Sequence, residues 1–369
     1  MQTLIAHVVG ARPNFMKAAP VFQACEDKGL SQVLVHTGQH YGGAMSDIFF
    51  RELALPKPAV NLGIGSGSHA AQTAALLIGL EQTFDDLRPG MVVVYGDVNS
   101  TLAAALVASK MHLPLAHVEA GLRSFDMTMP EEVNRRITDA LSDILFVTSP
   151  EGVGHLAREG CAAERIHLVG NPMIDTLLAN LGNLHPERVR RLLGLAEDYA
   201  VVTLHRPSNV DDAEVAAYAV SVCEKVSKLI PLVIPLHPRG RAVLESVGLG
   251  ASGHVRLLEP MGYLNFLSLV RSSRLVITDS GGVQEETTVL GVPCLTVRST
   301  TERPITITHG TNQLVGWDDI VACVEDILGG KTQLPTKRPP LWDGQAGRRI
   351  ADILVDTGPL LPMTPATGH

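Results

Sequence analysis

The sequence predicts an α/β protein made of two similar parallel-sheet domains with a cleft between them. Three observations carry this expectation. Short β-branched runs alternate with longer Ala- and Leu-rich amphipathic stretches, which is the pattern of βαβ units. The alternation runs through the first half, meets a breaker at Gly170-Asn171-Pro172, and begins again in the second half. The chain also has 369 residues, 45% of them hydrophobic and 18% charged, which gives ample core for two domains and excludes a disordered polymer.

The elements follow in order. In the first half, residues 3–10, 33–37, 91–95, 114–118 and 145–148 read as buried strands, with helices over 14–28, 69–83, 100–110 and 131–141 between them. A further strand is expected at 166–169. The second half repeats the logic, with strands at 200–204, 231–235, 255–257, 275–278 and 294–297 and helices at 214–229, 263–272 and 284–290. Residues 329–343, rich in Pro, Gly and Lys, read as a linker, and 347–355 as a last helix. The expected domains are 1–172 and 173–345, with a final helix over 346–356 packing back on the first. Residues 357–369, with three prolines, form a loose tail.

Composition narrows the function. A net charge of −8 argues against a nucleic-acid partner, which needs a basic face. No run of 18 apolar residues exists, so no membrane partner is expected. The N-terminal run lacks a basic flank and reads as a buried strand and not as a signal peptide. The five cysteines are odd in number and contain no C-x-x-C, which fits free thiols in the cytoplasm.

Ligands of open parallel sheets bind at the carboxyl ends of the strands, so those loops are where chemistry is sought. Gly10-Ala11-Arg12-Pro13-Asn14 places Arg12 at a helix start, a natural anion site, with Lys17 one turn further on. A plain surface Arg and Lys would read the same. Asp97 in G-D-V-N-S is either a helix cap or a functional carboxylate, and Ser100 could cap in its place. Glu119, at a strand end beside Gly121 and Arg123, is unusual for packing. Pro130-Glu131-Glu132 is also a common helix start, so one of the two acids is expected only to decorate the dipole. Asp97, Glu119 and Glu131 together give one domain three carboxylates whose environments could divide acid from base roles. In the second half, His205-Arg206 ends a strand and suits phosphate contact or proton transfer, although a core histidine would look alike. His237 offers a weaker version of the same signal. Ser280-Gly281-Gly282 feeds a helix, and paired glycines let backbone N–H groups approach a diphosphate. Glu286 one turn in could accept from a ribose diol, and Arg303 follows another strand.

Other signals carry less. Residues 65–70 match a loose G-x-G-x-x-A but lack a preceding strand and an acidic partner, so no NAD is implied. No P-loop, H-E-x-x-H or D-x-D occurs, so neither a metal nor a cofactor is expected.

Taken together, the segments G-A-R-P-N-F-M-K, H-T-G-Q-H-Y, G-D-V-N-S-T, H-V-E-A-G-L-R, P-E-E-V-N-R, G-N-P-M-I-D, L-H-R-P-S-N, T-D-S-G-G-V-Q-E-E and T-T-E-R-P resemble the non-hydrolysing UDP-N-acetylglucosamine 2-epimerase family. They run in order from residue 9 to about 316. The resemblance implies two Rossmann-like domains of the glycosyltransferase-B type and a homodimer. It implies a reversible inversion of C2 that converts UDP-N-acetylglucosamine to UDP-N-acetylmannosamine through elimination of UDP and a 2-acetamidoglucal. It places Asp97, Glu119, Glu131 and His205 at catalytic positions. Arg12, Lys17, Arg135, His237, Tyr263, Ser280, Gly281, Gly282, Glu286 and Arg303 fall at UDP-sugar contacts, and Asp279 and Glu132 are not expected to act. The chain departs from many members at Ser208, where they carry an acid. With Gly42 and Gly43 after Gln39 and no Arg in 63–72, a second, activating UDP-sugar site is not expected. A modified 2-acetamido sugar as substrate, hydrolysis of the UDP bond, a glycosyltransferase and a non-catalytic sensor are the competing readings.

Overall fold

The computed structural model describes residues 3–38, 50–195, 198–236, 238–250, 253–332 and 338–357. The chain divides into two compact units, 1–179 with 340–369 and 180–339.

Among the described residues, the first unit holds seven parallel strands: β1 (Ile5–Val9), β2 (Gln32–His36), β3 (Val60–Asn61), β4 (Met91–Tyr95), β5 (Leu115–Ala120), β6 (Ile144–Val147) and β7 (Ile166–Leu168), in the order β3-β2-β1-β4-β5-β6-β7. The second holds six: β8 (Ala200–Thr203), β9 (Leu232–Pro235), β10 (Val255–Leu258), β11 (Leu275–Thr278), β12 (Cys294–Val297) and β13 (Asn312–Val315), in the order β10-β9-β8-β11-β12-β13. Strand runs such as Met91-Val92-Val93-Val94-Tyr95 are buried throughout because helices cover both faces of a parallel sheet.

Both sheets reverse their strand order at the same place, between β1 and β4 in the first unit and between β8 and β11 in the second. At such a switch point the two adjacent connections leave toward opposite faces and open a crevice above the strand ends. Each unit therefore offers one preferred binding position before any side chain is considered.

Several helices lie where the sequence reads as loop or breaker. Pro150–Arg158, Pro172–Asn180, Pro186–Leu192, Pro207–Val210 and Pro238–Ser246 all begin with proline. Proline has no N–H to lose in a first turn, so it opens these helices. One consequence is that Pro172 starts a helix belonging to the first unit, so the chain divides at 179 instead of 172.

That helix repairs a defect. Pro20 lies inside the helix Arg12–Asp27 and cannot donate to the Met16 carbonyl. Thr176 Oγ1 donates to that carbonyl instead, at 2.6 Å. The final helix, Ala346–Thr357, packs on the same helix. Its first turn is tied by Asp175 Oδ2, which accepts from Gly347 N at 2.7 Å. A Cβ on Gly347 would lie 2.5 Å from the Pro20 carbonyl oxygen, so only glycine permits this approach. Gly347→Ala is expected to cost about 1–3 kcal/mol by overpacking, read as a lowered urea midpoint; an unchanged midpoint would count against the docking described.

Candidate active site

At the switch point of the first unit, Asn14 stitches two loops together. Its Oδ1 accepts from Gly10 N and Ala11 N at 3.1 and 3.0 Å, and its Nδ2 donates to Tyr95 O at 2.8 Å. This fixes the start of the helix Arg12–Asp27 against the end of β4. Arg12 is half-buried at that start, and burial lowers its guanidinium below the ordinary value. Lys17, one turn on, is buried and forms an ion pair with Glu119.

Glu119 reaches Lys17 because β5 is not regular. Its register against β6 shifts between Val118 and Ala120, and Glu119 takes a φ of +77°. A bulge of this kind re-aims a side chain, and a non-glycine residue held there costs on the order of 1–3 kcal/mol. Gly96, the residue before Asp97, lies against the pair. A Cβ there would stand 3.0 Å from Lys17 Nζ and 3.1 Å from Glu119 Oε2, and its own φ of +64° suits glycine.

Asp97 does not cap the next helix. Val98 occupies the cap position without a side-chain bond, and Ser100 pairs with Thr37 Oγ1 at 2.7 Å. Asp97 instead accepts from Arg135 Nη2 at 2.5 Å. Arg135 also meets Glu132 at 2.6 Å. Glu132 corrects the expectation of a dipole ornament: it is buried and accepts from Ser124 N and Ser124 Oγ, both at 2.8 Å. Glu131 is half-exposed and has no ion pair or hydrogen bond among the described residues. The first switch point thus carries three carboxylates in three settings: Glu119 on a lysine, Asp97 on an arginine, Glu131 partly open to solvent.

The second switch point is built around Asp279, at the end of β11. It is fully buried and accepts from His205 N, Arg206 N and Asn209 Nδ2 at 3.1, 2.9 and 3.0 Å, and its Oδ1 lies 2.8 Å from His205 Nδ1. Burial alone would raise its carboxyl, but His205, Asn209 and the Arg206 amide hold it down at about 2. A carboxylate only accepts, so His205 Nδ1 donates and Nε2 is left to exchange a proton. His205 itself is 44% exposed. Asp279 is not expected to act from its loop alone, yet it lies behind His205 and fixes the orientation of its ring.

The helix Gly281–Leu290 starts directly after Ser280. Arg303 lies over that start: a Cβ on Gly281 would be 2.5 Å from its Nη1. Arg303 pairs with Glu302 and, at 3.0 Å, with Glu285. Arg298 holds the other Glu302 oxygen at 2.7 Å, and Arg206 approaches Glu302 at 3.9 Å. Three guanidinium groups gathered beside a helix N-terminus place charged donors where an anion could bind. Gln284 braces the loop, accepting from Thr301 Oγ1 at 2.7 Å and Asn312 Nδ2 at 3.0 Å. Glu286 is buried against Tyr263, and burial pushes its carboxyl up to about 8, with Tyr263 opposing and Glu285 adding to the rise. His237 lies outside the described residues, and among those described no His, Cys, Asp and Glu group could hold a metal.

The chain is similar to known proteins in sequence and in fold. A family model described as UDP-N-acetylglucosamine 2-epimerase matches residues 23–355. The chain belongs to that family. This epimerase is 41% identical to the UDP-N-acetylglucosamine 2-epimerase of Methanocaldococcus jannaschii, over 94% of this chain and 97% of that one. It is 43% identical to the UDP-2,3-diacetamido-2,3-dideoxy-D-glucuronate 2-epimerase of Pseudomonas aeruginosa, over 95% of this chain and 99% of the other. The epimerase also matches a crystal structure of the M. jannaschii enzyme in complex with UDP-GlcNAc and UDP, with a TM-score of 0.89, 40% identity, and coverage of 96% and 99%. Its two parallel-sheet units are of the glycosyltransferase-B type.

Glu286 gives this isomerase a readable pH signature. Its carboxyl stands at about 8 in the folded chain against an ordinary 4.5, so folding takes up a proton. That contribution to stability is full below 4.5 and is lost as pH rises to about 8. Glu286→Gln is expected to remove a slope of up to about 1 kcal/mol per pH unit, measured by urea unfolding from pH 5 to 9; identical slopes in the two proteins would refute it.

Proposed function

We propose that this epimerase inverts C2 of UDP-N-acetylglucosamine to give UDP-N-acetylmannosamine, by eliminating UDP and adding it back. The observation that carries the reading is the division of charge between the two switch points. The first holds Asp97, Glu119 and Glu131 in distinct environments, with Lys17 and Arg135 as their cations. The second joins a positively charged helix start to a histidine oriented by Asp279. The first arrangement suits proton transfer and the second suits a departing diphosphate. The names of the relatives support the same substrate class.

The C2 hydrogen is not acidic, so its removal is coupled to a leaving group. A carboxylate takes the C2 proton while the C1–O bond breaks and its electron pair goes to the β-phosphate. The sugar becomes a 2-acetamidoglucal with a C1–C2 double bond. Return of the phosphate oxygen to C1, with protonation of C2 from the opposite face, completes the inversion and restores every atom. Positioned acid and base groups contribute about 10²–10⁴-fold. Arg12, Lys17, Arg135 and Arg303 balance the charge that moves onto the phosphate, and Ser280, Gly281 and Gly282 supply a backbone that approaches it. Glu286 and Tyr263 form a polar pair for the ribose.

A second reading has a specific support. The P. aeruginosa relative, at 43% identity, is named for a 2,3-diacetamido uronic acid. The same C2 chemistry would then act on a sugar altered at C3 and C6. A panel of both UDP-sugars in D₂O separates the two. Deuterium at C2 of the epimer of one sugar identifies the substrate, and absence of exchange with every member of the panel overturns the proposal. Asp97→Asn, Glu119→Gln and Glu131→Gln are each expected to lower exchange by about 10²–10⁴-fold. Asp279→Asn is expected to lower turnover about 100-fold through a misoriented His205, with UDP affinity nearly unchanged by calorimetry.

A further inference from the structure

We propose that His117 and Asp139 are positioning residues that lock the Asp97 turn to the Glu119 bulge, with both ring nitrogens of His117 acting as donors. The inference rests on the acid–base reading of Asp97 and Glu119 given above.

His117 lies on β5 and is fully buried. Its Nε2 is 2.8 Å from the Gly96 carbonyl oxygen, and its Nδ1 is 2.7 Å from Asp139 Oδ1. A peptide carbonyl can only accept. Asp139, on the helix Pro130–Leu141, is buried too, and its Oδ2 accepts from Gly121 N at 3.1 Å and Arg123 Nη1 at 2.7 Å. Burial opposes its charge, but His117 and Arg123 outweigh this and hold the carboxyl below its ordinary range. The Arg123 guanidinium and the Gly121 amide, both donating to Oδ2, mark Asp139 as a carboxylate independently of His117, and a carboxylate only accepts. With acceptors on both sides, both nitrogens of His117 carry protons, and the ring is a buried cation.

The pair sits where it can set two loops at once. Gly96 precedes Asp97, and Gly121 follows Glu119 by two residues. One carboxylate therefore reaches the Asp97 turn through His117 and the end of the Glu119 bulge directly. Gly96 N donates to Val118 O at 3.0 Å, which closes the loop of contacts. The charges balance: Arg123 also clasps Glu159, at 2.9 and 2.6 Å, giving two cations and two carboxylates. Filling this space with apolar side chains would cost less than burying His117, Asp139 and Arg123, with Glu159 at the exposed end of the chain of contacts. What the charged arrangement provides is fixed geometry, and a misplacement of ~1 Å costs a reacting group about 100-fold.

The test has two arms. In ¹⁵N-histidine NMR of the whole protein at pH 7.5, both His117 nitrogens are expected at imidazolium shifts; a neutral tautomer overturns the proposal. In kinetics with the UDP-sugar that the wild type epimerises, Asp139→Asn and His117→Asn are expected to lower kcat about 10–100-fold, with KM within about threefold. His117→Gln, whose amide can still reach the Gly96 carbonyl, is expected to retain more turnover than His117→Asn. Folded variants with wild-type kcat, or a loss confined to KM, overturn it. If the wild type exchanges C2 with no UDP-2-acetamido sugar, the functional reading has failed, and the NMR arm still decides the state of His117.

Discussion

A lysine from the first helix and a glutamate from the fifth strand meet in the interior, each almost without access to water. The Lys17–Glu119 pair is the contact on which the first unit's site depends. Burying two charges costs several kcal/mol of hydration for each, and an apolar pair of similar volume would be at least as stable. The backbone adds to that cost, because Glu119 is held at positive φ inside a strand. Glycine at position 96 leaves the space the two side chains need. A chain selected for stability alone has no use for this arrangement. It keeps a carboxylate in fixed position beside a cation, which is an arrangement suited to proton transfer.

The two sheets share one strand order and reverse it at equivalent places. Architecture therefore offers two equivalent positions, and the loops decide their chemistry. In the first unit the helix after β1, the turn after β4 and the bulge within β5 bring lysine, aspartate and glutamate. In the second, the loops after β8, β11 and β12 bring histidine, arginines and a glycine-opened helix. A chain of net charge −8 can thus still gather cations locally, since Arg206, Arg298 and Arg303 lie around Glu302 and Glu285.

Buried carboxylates behind the expected site residues hold those residues in place. Asp279 turns His205, Glu132 holds Arg135 and the loop after β5, and Glu285 steadies Arg303. Each accepts from a residue expected at the site, so its role passes through that neighbour. Loop-by-loop reading finds the residue at the strand end and misses the one behind it, because the partner is 74 positions away for His205 and adjacent only in space.

The sequence by itself determined the alternation of strands and helices, the two parallel sheets, and the loops that carry Arg12, Asp97, Glu119, His205 and Ser280. These follow from local properties: β-branched runs, amphipathic period, and glycines at strand ends. It did not determine the proline-opened helices, because a proline's role depends on whether the following residues find a surface to pack on. Nor did it determine the very short β3 or the terminal β13, which are strands only because β2 and β12 pair with them. The bulge at Glu119, the two acceptors that flank His117 and the burial of Asp279 were decided by tertiary structure alone. Each depends on a partner brought from far along the chain, and electrostatic environment is a property of neighbours in space, which one-dimensional order does not fix.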